Sequence, residues 1–304
     1  MKLAIIGAAG SIGAPTAFYT ALQNVVDEIK MVDPNKDLLK NHVMDMDQAV
    51  IEASNTKVVA ADYSDLGDCD IFMIVAAKPA KVAASRDEWL ADNLGLLKFI
   101  QADIKKYAHN KPIICATNPS DVCTYYLYRE LGWDRNKIIG FCVNDGVRVK
   151  WALSHLMNLD YKKLDAMCIG EHGIMQVPLW DHVTYDGKPL TIPADIRKAA
   201  PEMIENWLQE FLPVASTRTT GWLSAISLAS LVRDIAQGSK RPIAVTTPLD
   251  GEYGQKGICL GVPAILGPNG VEKIVELDLA QEQKDQMNAA AAKVRGLIEA
   301  SGIK

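Results

Sequence analysis

The sequence predicts an α/β protein in which a doubly wound parallel sheet is followed by an α+β domain. Three observations lead to this prediction. A glycine-rich turn joins a short apolar strand to a helix at the start of the chain, continuously apolar strands then alternate with helices, and this regular alternation ends after about residue 150. Continuously apolar strands are typical of parallel sheets that are covered by helices on both faces.

The glycine-rich turn has the spacing Gly-x-x-Gly-x-x-Gly. A predicted strand over residues 2–6 leads into Gly7, Gly10 and Gly13, and a helical pattern covers about residues 11–24. This order is a variant of the Rossmann-type dinucleotide-binding fingerprint. The first glycine permits a tight turn, the second lets the backbone approach a pyrophosphate, and the third lets the helix pack on the strand. The alternative is a glycine-rich turn that binds no ligand.

Asp33 indicates which dinucleotide would be bound. Residues 29–32 form a second predicted strand, and this strand ends in Asp33, at the usual distance after Gly13. A carboxylate at this place binds the ribose hydroxyls of NAD and repels the additional phosphate of NADP. The cofactor we expect is therefore NAD.

The rest of the first half continues the α/β pattern. Strands are predicted over residues 58–61, 71–77 and 113–116, and helices over residues 35–52, 86–107 and 122–131. A polar turn over residues 117–121, which ends in Asp121, precedes the last helix. The first of these helices carries Asp45 and Asp47, which could bind a metal; closely spaced aspartates on a helix more often form a solvated face, and we predict no metal site. Arg86 stands at the positive end of its helix, where a cation is unfavourable. It is either solvated or placed to reach an anion.

The second half lacks this regular alternation. Strands are predicted over residues 166–169, 241–247 and 258–266, a β-ribbon over residues 183–189 with Asp186-Gly187 as its turn, and helices over residues 194–212, 220–238 and 280–300. We place two domains at residues 1–143 and 144–304. No Gly/Ser-rich linker separates them, so we expect them to pack tightly.

Composition excludes several classes of function. The net charge is −5, and the isoelectric point near 5.6 argues against a general nucleic-acid binder. The six cysteines are scattered without C-x-x-C spacing, which predicts buried thiols and a reducing compartment. The N-terminal apolar run is too short for a signal peptide, and no apolar run reaches transmembrane length. We therefore expect a cytoplasmic protein without membrane or nucleic-acid partners.

Asp145, Arg148 and His172 are the candidate catalytic residues. Asp145 and Arg148 are three residues apart, so on a helix their side chains share a face, while His172 stands in a predicted turn. The arginine could bind a carboxylate through two parallel hydrogen bonds, the histidine could move a proton, and the aspartate could orient the imidazole. The alternative is a surface Asp–Arg pair and an unrelated loop histidine.

Over nearly its whole length the chain resembles the lactate/malate dehydrogenase family. The motifs that carry the resemblance occur in family order: Gly7–Gly13, Asp33, Arg86 with Asn93, Thr117-Asn118-Pro119, Asp145-x-x-Arg148, Gly170-x-His172-Gly173 with Val177-Pro178, and the segment from Gly261-Val262-Pro263 to Gly270-Val271-Glu272. The resemblance implies NAD-dependent oxidation of an L-2-hydroxy acid to a 2-oxo acid. It also implies a homodimer or homotetramer, whose subunits would meet at the apolar face of the helix over residues 35–52.

The resemblance assigns a role to each matching residue. His172 would be the acid/base residue and Asp145 its partner, Arg148 would bind the substrate carboxylate, Arg86 would polarise the reacting carbonyl, and Asn118 would lie near substrate and nicotinamide. The cofactor would be bound by Gly7, Ala9, Gly10, Ser11, Ile12, Gly13, Asp33, Ala76, Asn93, Thr117 and Asn118. Residues 78–85, rich in alanine and lysine, would form a loop that closes over the substrate.

Departures from the family pattern leave the substrate open. Related malate enzymes carry a second arginine just before the Lys-Pro of the mobile loop, where this chain has Ala77, and Ile174 replaces an acidic residue. One hypothesis is a substrate other than malate, with an uncharged side chain. Another is a malate dehydrogenase in which Lys78 or Lys81 replaces the arginine, although Lys81 could also be a solvated loop residue. A third is a dinucleotide-binding protein without turnover.

Overall fold

The computed structural model describes residues 1–78, 86–214 and 220–303, with the backbone but not the side chains of residues 86–88 and 212. The helices in these ranges are α1 (Gly13–Gln23), α2 (Lys36–Val50), α3 (Arg86–Tyr107), α4 (Ser120–Leu131), α5 (Val143–Met157), α6 (Ala194–Val214), α7 (Gly221–Gln237) and α8 (Gln281–Ser301). None of the described helices is long and apolar enough to cross a bilayer.

The first half forms the predicted parallel sheet. Its strands are β1 (Lys2–Ile6), β2 (Glu28–Val32), β3 (Lys57–Ala60), β4 (Ile71–Ile74), β5 (Ile113–Cys115) and β6 (Ile138–Gly140). They lie in the order β3-β2-β1-β4-β5-β6, and every neighbouring pair is parallel. The chain runs outward in both directions from β1, which is the doubly wound arrangement. The predicted fold class is therefore confirmed.

Both faces of β1 are buried, which explains its continuously apolar sequence. Leu3 and Ile5 belong to one apolar cluster, together with residues of α1, α2 and α7. Ala4 and Ile6 point to the other face and belong to a second cluster with residues of α3 and α4. Because successive side chains of a strand alternate between faces, every position of this strand must be apolar.

The second half is mostly antiparallel. Its strands are β7 (Leu164–Asp165), β8 (Cys168–Gly170), β9 (Gln176–Pro178), β10 (Thr184–Tyr185), β11 (Lys188–Pro189), β12 (Ile243–Asp250), β13 (Lys256–Gly267) and β14 (Gly270–Ile274). The expected ribbon is β10–β11, and its turn residues Asp186 and Gly187 both have positive φ, as a two-residue hairpin turn requires. Of the strand expected over residues 166–169, only residues 168 and 169 lie in a strand, β8, and residues 166 and 167 connect it to β7.

One continuous sheet runs through both halves of the chain. β6 pairs with β5 on one side and with β12 on the other, where Gly140 stands opposite Thr246. β12, β13, β8 and β9 continue the sheet, and β14 pairs with β13. The short strands β6, β9 and β14 were not predicted, because three to five residues carry too little periodicity to stand out.

The cysteines have the environment that the sequence predicts. All six are buried and none forms a disulfide. Burial raises the pKa of the Cys115 thiol to about 11. These thiols therefore act as small apolar core residues.

The junction between the halves gives a testable prediction. A β-carbon at Gly140 would lie 2.2 Å from Thr124 Oγ1 and 2.8 Å from Thr246 Cβ. We expect Gly140→Ala to lower the free energy of unfolding by about 1–3 kcal/mol, the usual cost of overpacking, measured by urea denaturation.

Gly95→Ala is the matched control. Gly95 lies inside α3, and a β-carbon there meets no atom within 4 Å. Alanine should stabilise this helix by about 0.5–1 kcal/mol. Equal effects of the two substitutions would contradict the close packing at the junction.

Candidate active site

The glycine-rich turn packs against the end of β4. Gly7 has a φ of +87°, and a β-carbon on it would lie 2.6 Å from the backbone nitrogen of Ala76. A β-carbon on Gly13 would lie 2.4 Å from the carbonyl oxygen of Gly7. Only glycine fits either position. The helix that follows begins after Ile12, whose side chain makes no capping hydrogen bond, so the backbone at its positive end can face an anion.

Asp33 is held beside this turn by two backbone donors. Its Oδ2 accepts a hydrogen bond from the Ala9 N–H at 3.0 Å, and its Oδ1 accepts one from the Asn35 N–H at 2.9 Å. Each carboxylate oxygen retains a further lone pair for a ligand hydroxyl. The arrangement fits the ribose of NAD.

A hydrogen-bonded network fixes the ends of β4 and β5. Thr117 Oγ1 donates to the Ala76 carbonyl at 2.8 Å, and Asn93 Nδ2 donates to the Asn118 carbonyl at 2.7 Å. Asn93 Oδ1 accepts from the Lys78 N–H at 2.9 Å. The fully buried Asn93 amide thus braces the turn. Its contact with a cofactor stays a prediction.

Asp145 connects the other two candidate catalytic residues. Its Oδ2 lies 2.7 Å from His172 Nδ1, and its Oδ1 lies 3.4 Å from Arg148 Nη1. Asp145 and Arg148 are on one face of α5, while His172 comes from the loop after β8. Tertiary packing therefore brings together Asp145 and His172, which are 27 residues apart in the sequence.

The hydrogen bond to Asp145 leaves His172 Nε2 as the ring nitrogen for a ligand. Burial lowers the pKa of His172, but the Asp145 carboxylate and the charge of Asp121 outweigh it, and the pKa is raised. The protonated imidazole is therefore more favoured than in a free histidine, and in this form it can give a proton to a developing alkoxide.

A cavity of about 190 Å³ lies over these residues. Its lining residues are Ile12, Ala116, Asn118, Phe141, Asn144, Arg148, His172, Leu208, Phe211, Thr220 and Ser224. Ile12, Asn118, Arg148 and His172 were predicted as site residues from the sequence. Trp222 belongs to the same helix as the lining residue Ser224, and its side chain is largely exposed.

The walls that the sequence did not predict come from the residues directly after β5 and β6, Ala116 and Phe141, and from α5, α6 and the start of α7. Asn144 precedes Arg148 by one helical turn, and Thr220 precedes Ser224 by four residues at the start of α7, so each pair shares a face. That spacing was visible in the sequence. Nothing local, however, indicates that α6 brings Leu208 over the cavity.

Two polar atoms in the cavity wall are buried without a hydrogen-bond partner among the described residues: Asn144 Oδ1 and Arg148 Nε. Asn144 Nδ2 is paired with Ser224 Oγ at 3.0 Å, and Arg148 Nη2 lies 3.5 Å from Thr220 Oγ1. Since buried polar groups are nearly always paired, these atoms indicate where polar groups of a ligand bind.

Some predicted site residues lie outside the described part of the structure. These are the Arg86 side chain and loop residues 79–85, which include Lys81. Arg86 is the first residue of α3. The roles of Arg86 and Lys81 stay predictions.

Comparisons with known proteins agree on one family. Residues 1–140 match the model of the lactate/malate dehydrogenase NAD-binding domain, and residues 144–301 match that of the α/β C-terminal domain. The chain is 34% identical to a malate dehydrogenase of Bacteroides thetaiotaomicron, covering 97% of this chain and 96% of that one. It is 33% identical to a malate dehydrogenase of Shouchella clausii, covering 98% and 97%.

Solved structures of the same two kinds of enzyme share the fold. The lactate dehydrogenase of Cryptosporidium parvum, complexed with lactic acid and β-nicotinamide adenine dinucleotide, has a TM-score of 0.92 at 26% identity and covers 100% of this chain and 98% of its own. The malate dehydrogenase of Salinibacter ruber has a TM-score of 0.89 at 28% identity and covers 98% of this chain and 97% of its own.

The position of Asp33 predicts strong preference for NADH over NADPH. A second negative charge beside this carboxylate costs several kcal/mol, equivalent to roughly a hundredfold in kcat/KM. Asp33→Ser should narrow that difference, mainly by raising kcat/KM for NADPH. The measurement is kcat/KM for both cofactors. Asp278→Ser makes the same change of charge at a fully exposed side chain and should leave the ratio unchanged. Comparable efficiency of the wild type with both cofactors would refute the role of Asp33.

Proposed function

The chain belongs to the lactate/malate dehydrogenase family, and we propose that this NAD-dependent dehydrogenase acts on an L-2-hydroxy acid, or the matching 2-oxo acid, whose side chain carries no charge. In this proposal residues 1–143 hold the cofactor and add Asn118 and Arg86 to the reaction site, and residues 144–304 supply Arg148 and His172, which bind the substrate. One observation carries the choice of substrate: among the described residues that line the cavity, Arg148 is the only permanently charged one.

Arg148 is the proposed carboxylate clamp. Its side chain is mostly buried, its Nε has no partner in the described structure, and Asp145 fixes Nη1 from behind. A planar guanidinium held in this way can bind a carboxylate through two parallel hydrogen bonds. The 2-oxo acid carboxylate would therefore lie between α5 and the start of α7.

His172 is the proposed acid and base. Bound NADH supplies the hydride for reduction of the 2-oxo group. His172 Nε2 gives a proton to the carbonyl oxygen in the same direction, and the Asp145 carboxylate stabilises the imidazolium before the proton leaves. In oxidation neutral His172 takes the hydroxyl proton. Asn118 and, as the family resemblance implies, Arg86 would stabilise charge on the reacting oxygen.

The remaining cavity wall favours an uncharged substrate side chain. Phe141, Leu208 and Phe211 are apolar, and Asn144 and Ser224 are neutral. A second carboxylate in such surroundings would be buried without a paired cation, which is costly.

A malate dehydrogenase is the second candidate, and the names of the curated relatives favour it. Malate carries a second carboxylate. Because this chain has Ala77 where related malate enzymes have an arginine, another cation would have to bind that carboxylate. Lys81 could supply it as a single point charge. Lys78 is exposed and does not line the described cavity.

A panel of 2-oxo acids separates these candidates. The measurement is kcat/KM with NADH for pyruvate, longer uncharged 2-oxo acids and oxaloacetate, in wild type, Lys81→Ala and Lys78→Ala. We expect the uncharged acids to be preferred over oxaloacetate by roughly a hundredfold or more, because an unpaired buried carboxylate costs several kcal/mol.

A wild type that prefers oxaloacetate by orders of magnitude would refute the uncharged substrate. Loss of that preference in Lys81→Ala but not in Lys78→Ala would then identify Lys81 as the replacement cation. If no 2-oxo acid is turned over, the hypothesis that remains is a dinucleotide-binding protein without turnover.

We also propose that the chain self-associates, as a homodimer or homotetramer. Large apolar side chains are exposed along α2 and α7, namely Leu38, Met44, Ile51, Trp222 and Ile226. Exposed apolar side chains become buried when such helices pack against a second copy of the chain, and we propose that these two helices lie in the interface. Light scattering of the purified chain measures the assembly directly.

A further inference from the structure

Asp121 is a buried carboxylate that has no part in the mechanism so far. It lies in the first turn of α4 and is 2% exposed. Its Oδ2 accepts a hydrogen bond from the backbone N–H of His172 at 2.8 Å, and its Oδ1 accepts one from Thr246 Oγ1, also at 2.8 Å. One carboxylate therefore joins α4, strand β12 and the loop that carries the catalytic histidine.

His172 is consequently held at two points by two different carboxylates. Asp145 binds the ring at Nδ1, and Asp121 binds the backbone nitrogen of the same residue. Hydrogen bonds to ionised acceptors are roughly twice as strong as those between neutral groups. Fixing both the backbone and the ring leaves the imidazole little freedom to turn away from the cavity.

We infer that Asp121 is a positioning residue for the acid–base step: its ionised carboxylate anchors the His172 loop to α4 and adds negative potential that favours the imidazolium. Asp121 does not line the cavity, so it acts through His172. Its position also explains why the site needs both halves of the chain, because Thr246 comes from the second half and α4 from the first.

The charged and titratable groups around the pair are consistent with this role. Asp145 and Arg148 face His172 from α5. Glu171, on the same loop, accepts the Met175 N–H at 2.9 Å and forms an ion pair with Lys293 of α8. Around Asp121 the other titratable neighbours are His172, Glu171 and the buried thiols Cys123, Cys142 and Cys259.

The expected protonation state follows from burial and hydrogen bonding. Burial raises the pKa of Asp121 to about 6, against the lowering effect of His172 and Thr246. The carboxyl is therefore mainly ionised at neutral pH. Because the charge of Asp121 contributes to the raised pKa of His172, removing that charge should lower the pKa of His172.

The first test measures the titration of His172 in the absence of turnover, so it does not depend on the proposed substrate. The chain has five histidines, and His172→Asn identifies the His172 ring signals in ¹⁵N NMR spectra. We expect the His172 ring to titrate at lower pH in Asp121→Asn than in wild type. An unshifted titration in the folded variant would overturn the inference, whatever the enzyme reduces.

The second test uses the reaction itself. In 2-oxo acid reduction His172 must be protonated, so the rate falls as pH rises through its pKa. In Asp121→Asn this fall should move to lower pH, and kcat should drop by roughly ten- to a hundredfold through misplacement of the imidazole, with the KM for NADH unchanged. A purely structural effect would lower the rate equally at every pH and leave the titration unmoved.

Two substitutions at Thr246 complete the design. Thr246→Ser keeps the hydroxyl donor, so the His172 ring should titrate at the same pH as in wild type, which controls for altered packing. Thr246→Val removes one hydrogen bond from the ionised carboxylate, so the His172 titration should move in the same direction as in Asp121→Asn but less far. If Asp121→Asn does not fold, an unshifted titration in Thr246→Val overturns the inference.

Discussion

The carboxylate of Asp145 is the constraint on which the active site depends. It is 3% exposed and lies between His172 and Arg148, one oxygen facing each. A buried carboxylate needs compensating charge or hydrogen bonds, and these two side chains supply both. In return, the position of one carboxylate fixes the directions of the proposed proton donor, His172, and of the proposed carboxylate clamp, Arg148.

The continuous sheet determines which chain segments reach this carboxylate. The glycine-rich turn follows β1, Asn118 follows β5, and α5 follows β6, so all three lie at the carboxyl edge of parallel strands, where open α/β folds bind ligands. The β6–β12 pairing then brings β8 and the His172 loop to the same edge. Residues of both halves therefore meet in one cavity.

Local sequence patterns predicted the parts of the fold that depend on local physics. The apolar strand β1, the glycine spacing, Asp33 at the end of β2 and the helical face shared by Asp145 and Arg148 follow from periodicity and steric demands over a few residues. The proximity of His172 to Asp145 was a hypothesis from residue types and from the family resemblance, because nothing in the sequence between them indicates the distance. The short strand β6 was missed because its three residues carry too little periodicity to stand out.

The least predictable features are the contacts between distant elements. The sequence indicated only that Asp121 is one polar residue of a turn. Its hydrogen bonds to His172 and Thr246 join residues that are 51 and 125 positions away in the chain. The apolar cavity wall from α6 is similar, since Leu208 and Phe211 look like ordinary residues of an amphipathic helix. In the proposed function such contacts set the substrate choice and the proton affinity of His172, which is why the sequence left the substrate open.

The most direct test of the central claim is a single-turnover measurement of NADH oxidation in His172→Asn, Asp145→Asn and the double variant, with an accepted 2-oxo acid. If Asp145 acts mainly through His172, each single variant should be slower by roughly 10²–10⁴-fold, and the double variant should be scarcely slower than the slower single variant, because residues that act as a unit are not additive. NADH binding should persist in all three. A near-normal rate in His172→Asn, or a loss in the double variant equal to the product of the single losses, would contradict the account.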